Sequence, residues 1–293
     1  MSYTPLNKYP ACLAQALKQY GEVPTYNVEW DQAVLQLLKQ RELNEAKEVL
    51  SLGPLIQKAE VERARQAQTF PDLTDENVYK AHVKLVMYIA NEIILAPQRR
   101  KFIVDEHNKD VLKFLLYYFN ECPLAETVYP DRGYKVHKNI CLQGGVGVGK
   151  TMLMQIFSEY LKRTKNPRYF VNVSVTEMVN YYSIHNHIDS FLYNIRDTRT
   201  FQGSPVNLCL NDIGVENRPF YGIDTLTVTN DFLHARNEIW SNCGEYERKF
   251  AHLTTNLTIA QLKEKFSQKD SYGRIIDRFK TYNIIPITGE SRR

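Results

Sequence analysis

The chain has 293 residues, of which 43% are hydrophobic and 24% charged, and its formal net charge is +4. That length allows one large domain or two modest ones, the composition suits a soluble globular protein, and the mild charge permits nucleic-acid binding without demanding it. The five cysteines (12, 122, 141, 209, 243) are scattered and unpaired in spacing, which excludes a disulfide or zinc framework and points to a reducing cytosol. No charged-then-apolar leader opens the chain, and no apolar run is long enough to span a bilayer, so a cytoplasmic protein is expected.

Pro5, Pro10 and Pro24 break the first thirty residues, leaving a short helix over 11–20. Asp31 reads as the N-cap of a helix with Val34, Leu35, Leu37 and Leu38 on one side. Residues 42–68 favour exposed helix, interrupted at Gly53-Pro54. A turn over 71–75 precedes a long helix, 76–95, whose apolar face carries Val78, Leu85, Val86, Ile89 and Ile93 and which Pro97 ends. The first 98 residues are therefore mainly helical and hold no catalytic constellation. They suit either a helical layer packed on a core or a docking arm for a partner. Arg99-Arg100-Lys101 reads as a solvated basic cluster at the junction.

Residues 102–120 read as a turn and then an amphipathic helix with Val111, Leu112, Leu115 and Tyr118, and Phe102 and Ile103 at the start of that stretch are candidates for lining an adenine pocket. Next comes the stretch that decides the reading: Gly144-Gly145-Val146-Gly147-Val148-Gly149-Lys150-Thr151, which fits G-x-x-x-x-G-K-[ST] without a mismatch. An apolar strand precedes it at 138–143, and an amphipathic helix begins at Met152. Glycines let the backbone N–H groups curl toward phosphate oxygens, and the positive end of the helix faces the same anion. Lys150 would reach the β- and γ-phosphates, and the Thr151 hydroxyl would ligate Mg²⁺.

A second strand over 169–173 and a short helix over 175–182 come next. His185, His187 and Asp189 follow at a spacing that matches no metal site. Residues 183–204, with Arg196 and Arg199, read as a surface loop or a DNA-facing insertion. The run 206–214 is an apolar strand ending in Asn211-Asp212, where a pair of acids would hold the Mg²⁺ water shell and polarise the attacking water. Only Asp212 is a carboxylate, with Glu216 close behind. Asn211 can accept from a metal-bound water but brings no charge. A helix over 223–242 contains Arg236 and a core Trp240. The strand 250–256 ends in Thr254-Thr255-Asn256, and Asn256 stands where a polar group would meet the ligand crevice and orient the water. Short helices over 259–266 and from 272 precede a last strand, 284–287. The second helix puts Arg274 and Arg278 on one face.

Taken together, the glycine-rich loop, the Asn-Asp-Ile-Gly strand end, the Thr-Thr-Asn strand and Gly-Arg-x-x-x-Arg before a final strand resemble the AAA+ ATPases of the DnaC/IstB type, close to the DnaC-like ATPases of Bacteroidetes mobile elements. The resemblance covers residues 99–293. It implies an α/β P-loop NTPase core with a parallel five-stranded sheet between helices and no C-terminal lid, behind an N-terminal helical, partner-binding region, 1–98. It also implies ATP and Mg²⁺ as ligands, with Gly144 to Thr151 as the Walker A loop, Asn211-Asp212 as the Walker B pair and Asn256 as the sensor. Arg278, with Arg274 as second candidate, is implied as the finger that reaches a neighbouring subunit's site. The implied function is a DNA-associated ATPase that forms homo-oligomers on DNA, single-stranded before duplex, and loads a replicative helicase. The rivals are a transposition ATPase that recruits a transposase and a nucleotide-gated binding module with little hydrolysis. A small-molecule kinase is disfavoured, since it would need a closing lid.

Overall fold

A computed structural model describes residues 8–67, 70–194, 203–214, 224–243, 248–267 and 274–292, with the side chains of 48–67, 275 and 276 left aside. Arg196, Arg199, Glu216 and the start of the helix expected from 272 lie outside the described residues. The chain divides into two compact units, 1–66 and 67–293.

In the first unit, helix α1 (Ala11–Gln19) and helix α2 (Val28–Ala67) share a small cluster in which Tyr9, Leu13 and Leu17 are buried with Val28, Val34 and Leu35 against them. Asp31 does not cap α2. Its carboxylate is buried and accepts from the Tyr9 hydroxyl at 2.5 Å and the Thr25 hydroxyl at 2.8 Å. The cap is Asn27, whose Oδ1 accepts from the Trp30 N–H at 3.1 Å. The helix also runs on through Gly53-Pro54, expected to be a break. A proline inside a helix removes one hydrogen bond and strains one turn, but the bonds on either side can carry the helix past it.

The second unit begins with α3 (Glu76–Tyr88), capped by the Asp75 carboxylate on the N–H groups of Asn77 and Val78. Its continuation, Ile89–Leu95, widens to π geometry and ends in a single tight turn at Ala96–Gln98. Helices α4 (Lys109–Phe119) and α5 (Ala125–Val128) lead to strand β1 (Asn139–Gly144) and helix α6 (Lys150–Arg163). Then come β2 (Val171–Ser174), α7 (Val175–His185), α8 (Asp189–Leu192) and a small antiparallel pair, β3 (Tyr193–Asn194) with β4 (Ser204–Pro205). The core resumes with β5 (Leu208–Ile213), α9 (Thr225–Asn242), β6 (Ala251–Thr255), α10 (Ile259–Phe266), α11 (Arg274–Arg278) and β7 (Tyr282–Ile287).

The main sheet has the order β2-β5-β6-β1-β7, and every pair in it is parallel. Both faces are covered, so the strands read as near-continuous apolar runs. Along β1 the faces still alternate: Ile140 and Leu142 pack with α3, α4 and α6, whereas Cys141 packs with α7, α9 and α10. The α3 face expected from the sequence joins the first of these layers: Val86, Ile89, Ala90 and Leu95 are buried with Leu153 and Phe157 of α6. Residues within 67–98 thus share one core with the glycine-loop helix.

Candidate nucleotide-binding site

Strand β1 ends where its backbone needs to be bare. A Cβ at Gly144 would stand 2.2 Å from the Ile287 carbonyl oxygen of β7, so glycine is what lets the two strands close. Gly147 and Gly149 have φ of +85° and +100°, in the left-handed region, and the chain turns there into α6. Lys150 is the first residue of that helix and only 4% exposed. Its ammonium donates to the carbonyls of Gly144 at 2.8 Å and Gly145 at 2.7 Å, and to Asn256 Oδ1 at 2.6 Å. The last of these bonds joins residues 106 apart in sequence.

Strand β5 reaches the same place through a bulge. Leu210 pairs with Leu253 and Ile213 with Thr255, so two residues, Asn211 and Asp212, stand opposite Thr254. Asp212 takes a left-handed φ of +63°, which aspartate tolerates better than most residues. Thr254 satisfies the irregularity from both sides: its hydroxyl accepts from the Asp212 N–H at 2.9 Å and donates to Asn211 Oδ1 at 3.2 Å. The Asn211 amide is engaged all round. Its N–H₂ donates to Asn172 Oδ1 at 3.2 Å and the Val173 carbonyl at 3.4 Å, and Cys209 Sγ lies 3.7 Å from its oxygen. The amide expected to receive a metal-bound water therefore spends its oxygen on Thr254 and Cys209, and its nitrogen ties β5 to β2.

A cavity of about 700 Å³ opens over these strand ends, lined among others by Gly147, Lys150, Thr151, Asn211, Asp212 and Asn256. Val146 and Gly149 line it too, whereas Val148 is buried in the core and Gly144 and Gly145 offer their carbonyls to Lys150. The cavity lies at the carboxyl ends of β1, β5 and β6, the crevice where a doubly wound sheet takes its ligands. The residues fit a nucleoside triphosphate: a glycine cradle, a buried ammonium and a helix N-terminus face one space. They also fit Mg²⁺, through the Thr151 hydroxyl and the Asp212 carboxylate. Arg278 does not line this cavity; its guanidinium meets His234 of α9, and Arg274 is exposed on α11.

A second cavity, of about 780 Å³, adjoins the first and shares Arg100, Met152 and Arg292 with it. Phe102 and Ile103 line it, the former buried and the latter exposed. Asn172 and Arg292 had no signal in the sequence, and Thr254 stood in the Thr-Thr-Asn strand end with no role of its own, because what they do depends on register and on contacts from distant segments. Arg100 had one, the basic cluster, which reads as a solvated face yet borders both cavities.

No protein-family model matches the chain, and no curated protein matches it. Among solved structures it is similar to AMPPCP-bound DnaA from Aquifex aeolicus, at 18% identity and a TM-score of 0.41, over 64% of this chain and 49% of that one. It is similar to a candidate primosome component from Streptococcus pyogenes serotype M3, at 17% identity and a TM-score of 0.43, over 66% and 85% of the two chains. A third is the DnaC helicase loader, at 14% identity and a TM-score of 0.42, over 69% and 98%. The chain spans about half the length of the Aquifex DnaA chain. By its own sheet order and loop, the second unit has a P-loop α/β fold, a parallel five-stranded sheet between helices.

Proposed function

We propose that the protein is an ATP-binding, ATP-hydrolysing AAA+ protein that assembles with copies of itself on DNA, single-stranded before duplex, and loads a replicative helicase in the cytoplasm. Residues 99–293 are the ATPase core in this reading, and 1–98 grip the partner. The observation that supports it best is the 2.6 Å bond between Lys150 and Asn256, beside Asp212 in one cavity. One γ-phosphate is then within reach of a cation, a polar amide and a carboxylate from three strand ends. The motif resemblance supports the choice of partner.

Each side chain has its task. Lys150 neutralises phosphate charge, and Asn256 orients the attacking water. Asp212 accepts that water's proton or holds the shell of the metal. Thr151 and Asp212 would hold Mg²⁺, which when bound draws charge off the leaving phosphates. Arg278 lies outside the chain's own cavity, and in this reading it serves the site of a neighbouring copy. A cation delivered in trans is worth about 10³–10⁵ in rate, so turnover follows assembly.

ATP hydrolysis measured with and without single-stranded DNA, beside Lys150→Ala, tests the reading. Turnover that rises with DNA and vanishes in the variant is expected. Full activity in Lys150→Ala would sink the site. The engaged Asn211 amide favours a second reading, a nucleotide-gated binding module. Tight ATP binding with no turnover on any DNA would select it.

A further inference from the structure

The segment after β7 returns across the glycine loop. The Arg292 N–H donates to the Gly147 carbonyl at 3.0 Å. A Cβ at Gly147 would stand 2.1 Å from Ser291 Oγ and 3.3 Å from its Cα, so Ser291 packs directly on the bare glycine. The same segment is fastened to the stretch before α4. The Arg292 guanidinium grips both oxygens of Asp105, at 2.9 and 2.7 Å, and donates to the Ile103 carbonyl at 3.3 Å. Thr288 Oγ1 lies 3.1 Å from His107 Nδ1, and Gly289 packs on the His107 ring. Asp105 is held ready for this. It accepts from the N–H groups of His107 and Asn108, and the Asp105 N–H donates to Asn108 Oδ1. The Arg292 pairing holds its carboxyl below the usual carboxylate range.

These contacts between segments about 185 positions apart form one strap that passes over the loop. The strap also walls the second cavity, where Arg292 stands at the mouth shared with the first. A glycine loop is permissive by nature, and its N–H groups bind phosphate only when their directions are fixed. The Gly147 carbonyl is the point at which the strap fixes them.

We propose that Arg292 is a positioning residue of the nucleotide site: clamped by Asp105, it holds residues 288–292 over Gly147 and so preorganises the glycine loop for phosphate. This rests on the nucleotide-binding reading of that loop. The planar guanidinium carries the function: Nη2 reaches both Asp105 oxygens while Nη1 donates to the Ile103 carbonyl, so two nitrogens fix its direction where a single ammonium would not.

The test is the affinity of the full-length protein for a fluorescent ATP analogue, with steady-state turnover beside it. Arg292→Ala and Asp105→Asn are each expected to weaken binding about tenfold, or 1.4 kcal/mol. They should raise KM alike and leave kcat within about twofold, since a preorganisation loss acts on binding. Arg292→Lys should recover only part of the loss. Arg292→Ala combined with Asp105→Asn should weaken binding little more than either alone, because both break one clamp. Wild-type affinity in both single variants overturns the proposal, as does a double variant whose losses simply add. Lys150→Ala is measured alongside. If it binds as wild type, the glycine-loop reading itself has failed; if it loses binding while Arg292→Ala keeps it, only the strap has failed.

Discussion

Replacing Asn211 by aspartate would give β5 the acidic pair that a metal site of this kind would use. The surroundings of Asn211 say that the change destabilises the protein instead. The amide nitrogen faces two acceptors, Asn172 Oδ1 at 3.2 Å and the Val173 carbonyl at 3.4 Å, in a position only 4% exposed. Asn172 cannot turn to donate without giving up its own bond to the Met154 carbonyl, at 3.2 Å. A carboxylate would put oxygen against oxygen at both contacts. A buried polar group left without partners costs about 1–3 kcal/mol, and more when charged. A loss of about 2–3 kcal/mol lowers the melting midpoint of a domain this size by roughly 5–10 °C. Burial and the two acceptors raise the pKa of the new carboxyl above its unfolded value near 4. The folded state then holds a proton that the unfolded state has released, so the variant loses stability as pH rises from about 4 toward neutrality. Thermal melting of Asn211→Asp and wild type at pH 5 and pH 7.5, in EDTA and without nucleotide, reads this directly. A deficit that grows with pH is expected. A variant as stable as wild type at pH 7.5 would refute the reasoning and return position 211 to the metal.

Asn256→Ala removes the partner of Lys150 at 2.6 Å and should cost about 10²-fold in turnover, with ATP affinity changed less than about fivefold; equal losses in both would make Asn256 a binding residue only. Arg278→Ala should retain ATP binding and lose about 10³-fold in turnover. Mixing it with Asp212→Asn should restore part of the activity, and a mixture no better than its components would remove the support for shared sites. His252 is fully buried among Tyr118, Phe119, Phe170 and Phe250, with Nδ1 accepting from the Ile140 N–H. Burial pushes its pKa down to about 3. Its contribution is therefore present above about 6.5, the unfolded value, and is lost as pH falls toward 3. His252→Gln, which keeps an acceptor, should flatten the pH dependence of unfolding free energy over that window by up to about 1.4 kcal/mol per pH unit. An unchanged slope would mean that another group carries the acid sensitivity.

The parts of the fold that were legible in sequence are those whose signal is local. The strand, glycine turn and helix from Asn139 to Arg163 declare themselves by composition and period. So does α10, whose Thr258 and Gln261 cap each other reciprocally at its start. What sequence misjudged depends on partners far away. Asp31 and Asn27 are equally good capping residues by type; Tyr9, 22 positions earlier, draws Asp31 into the small core and leaves the cap to Asn27. The apolar face of α3 was visible in the sequence, but not that it would seal against α6. The motif resemblance pointed to Arg278 and passed over Arg292, because a lone arginine has no meaning until Asp105 is beside it.

The acidic strand shows how the two kinds of information combine. Read alone, Asn211-Asp212 is a damaged pair, one member of which has lost its charge. On a straight strand the two side chains would point to opposite faces, and only one could look into the crevice. The bulge against Thr254 lets both border the cavity. It also divides their duties. Asn211 holds β2 to β5 through an amide that no carboxylate could replace contact for contact. Asp212, turned by its left-handed backbone and fixed by the Thr254 hydroxyl, is left to face the cavity. The residue that makes Asp212 useful therefore stands on the neighbouring strand. The first threonine of Thr-Thr-Asn sets the carboxylate and the asparagine two places on meets Lys150, so that β6 supports the site at both points.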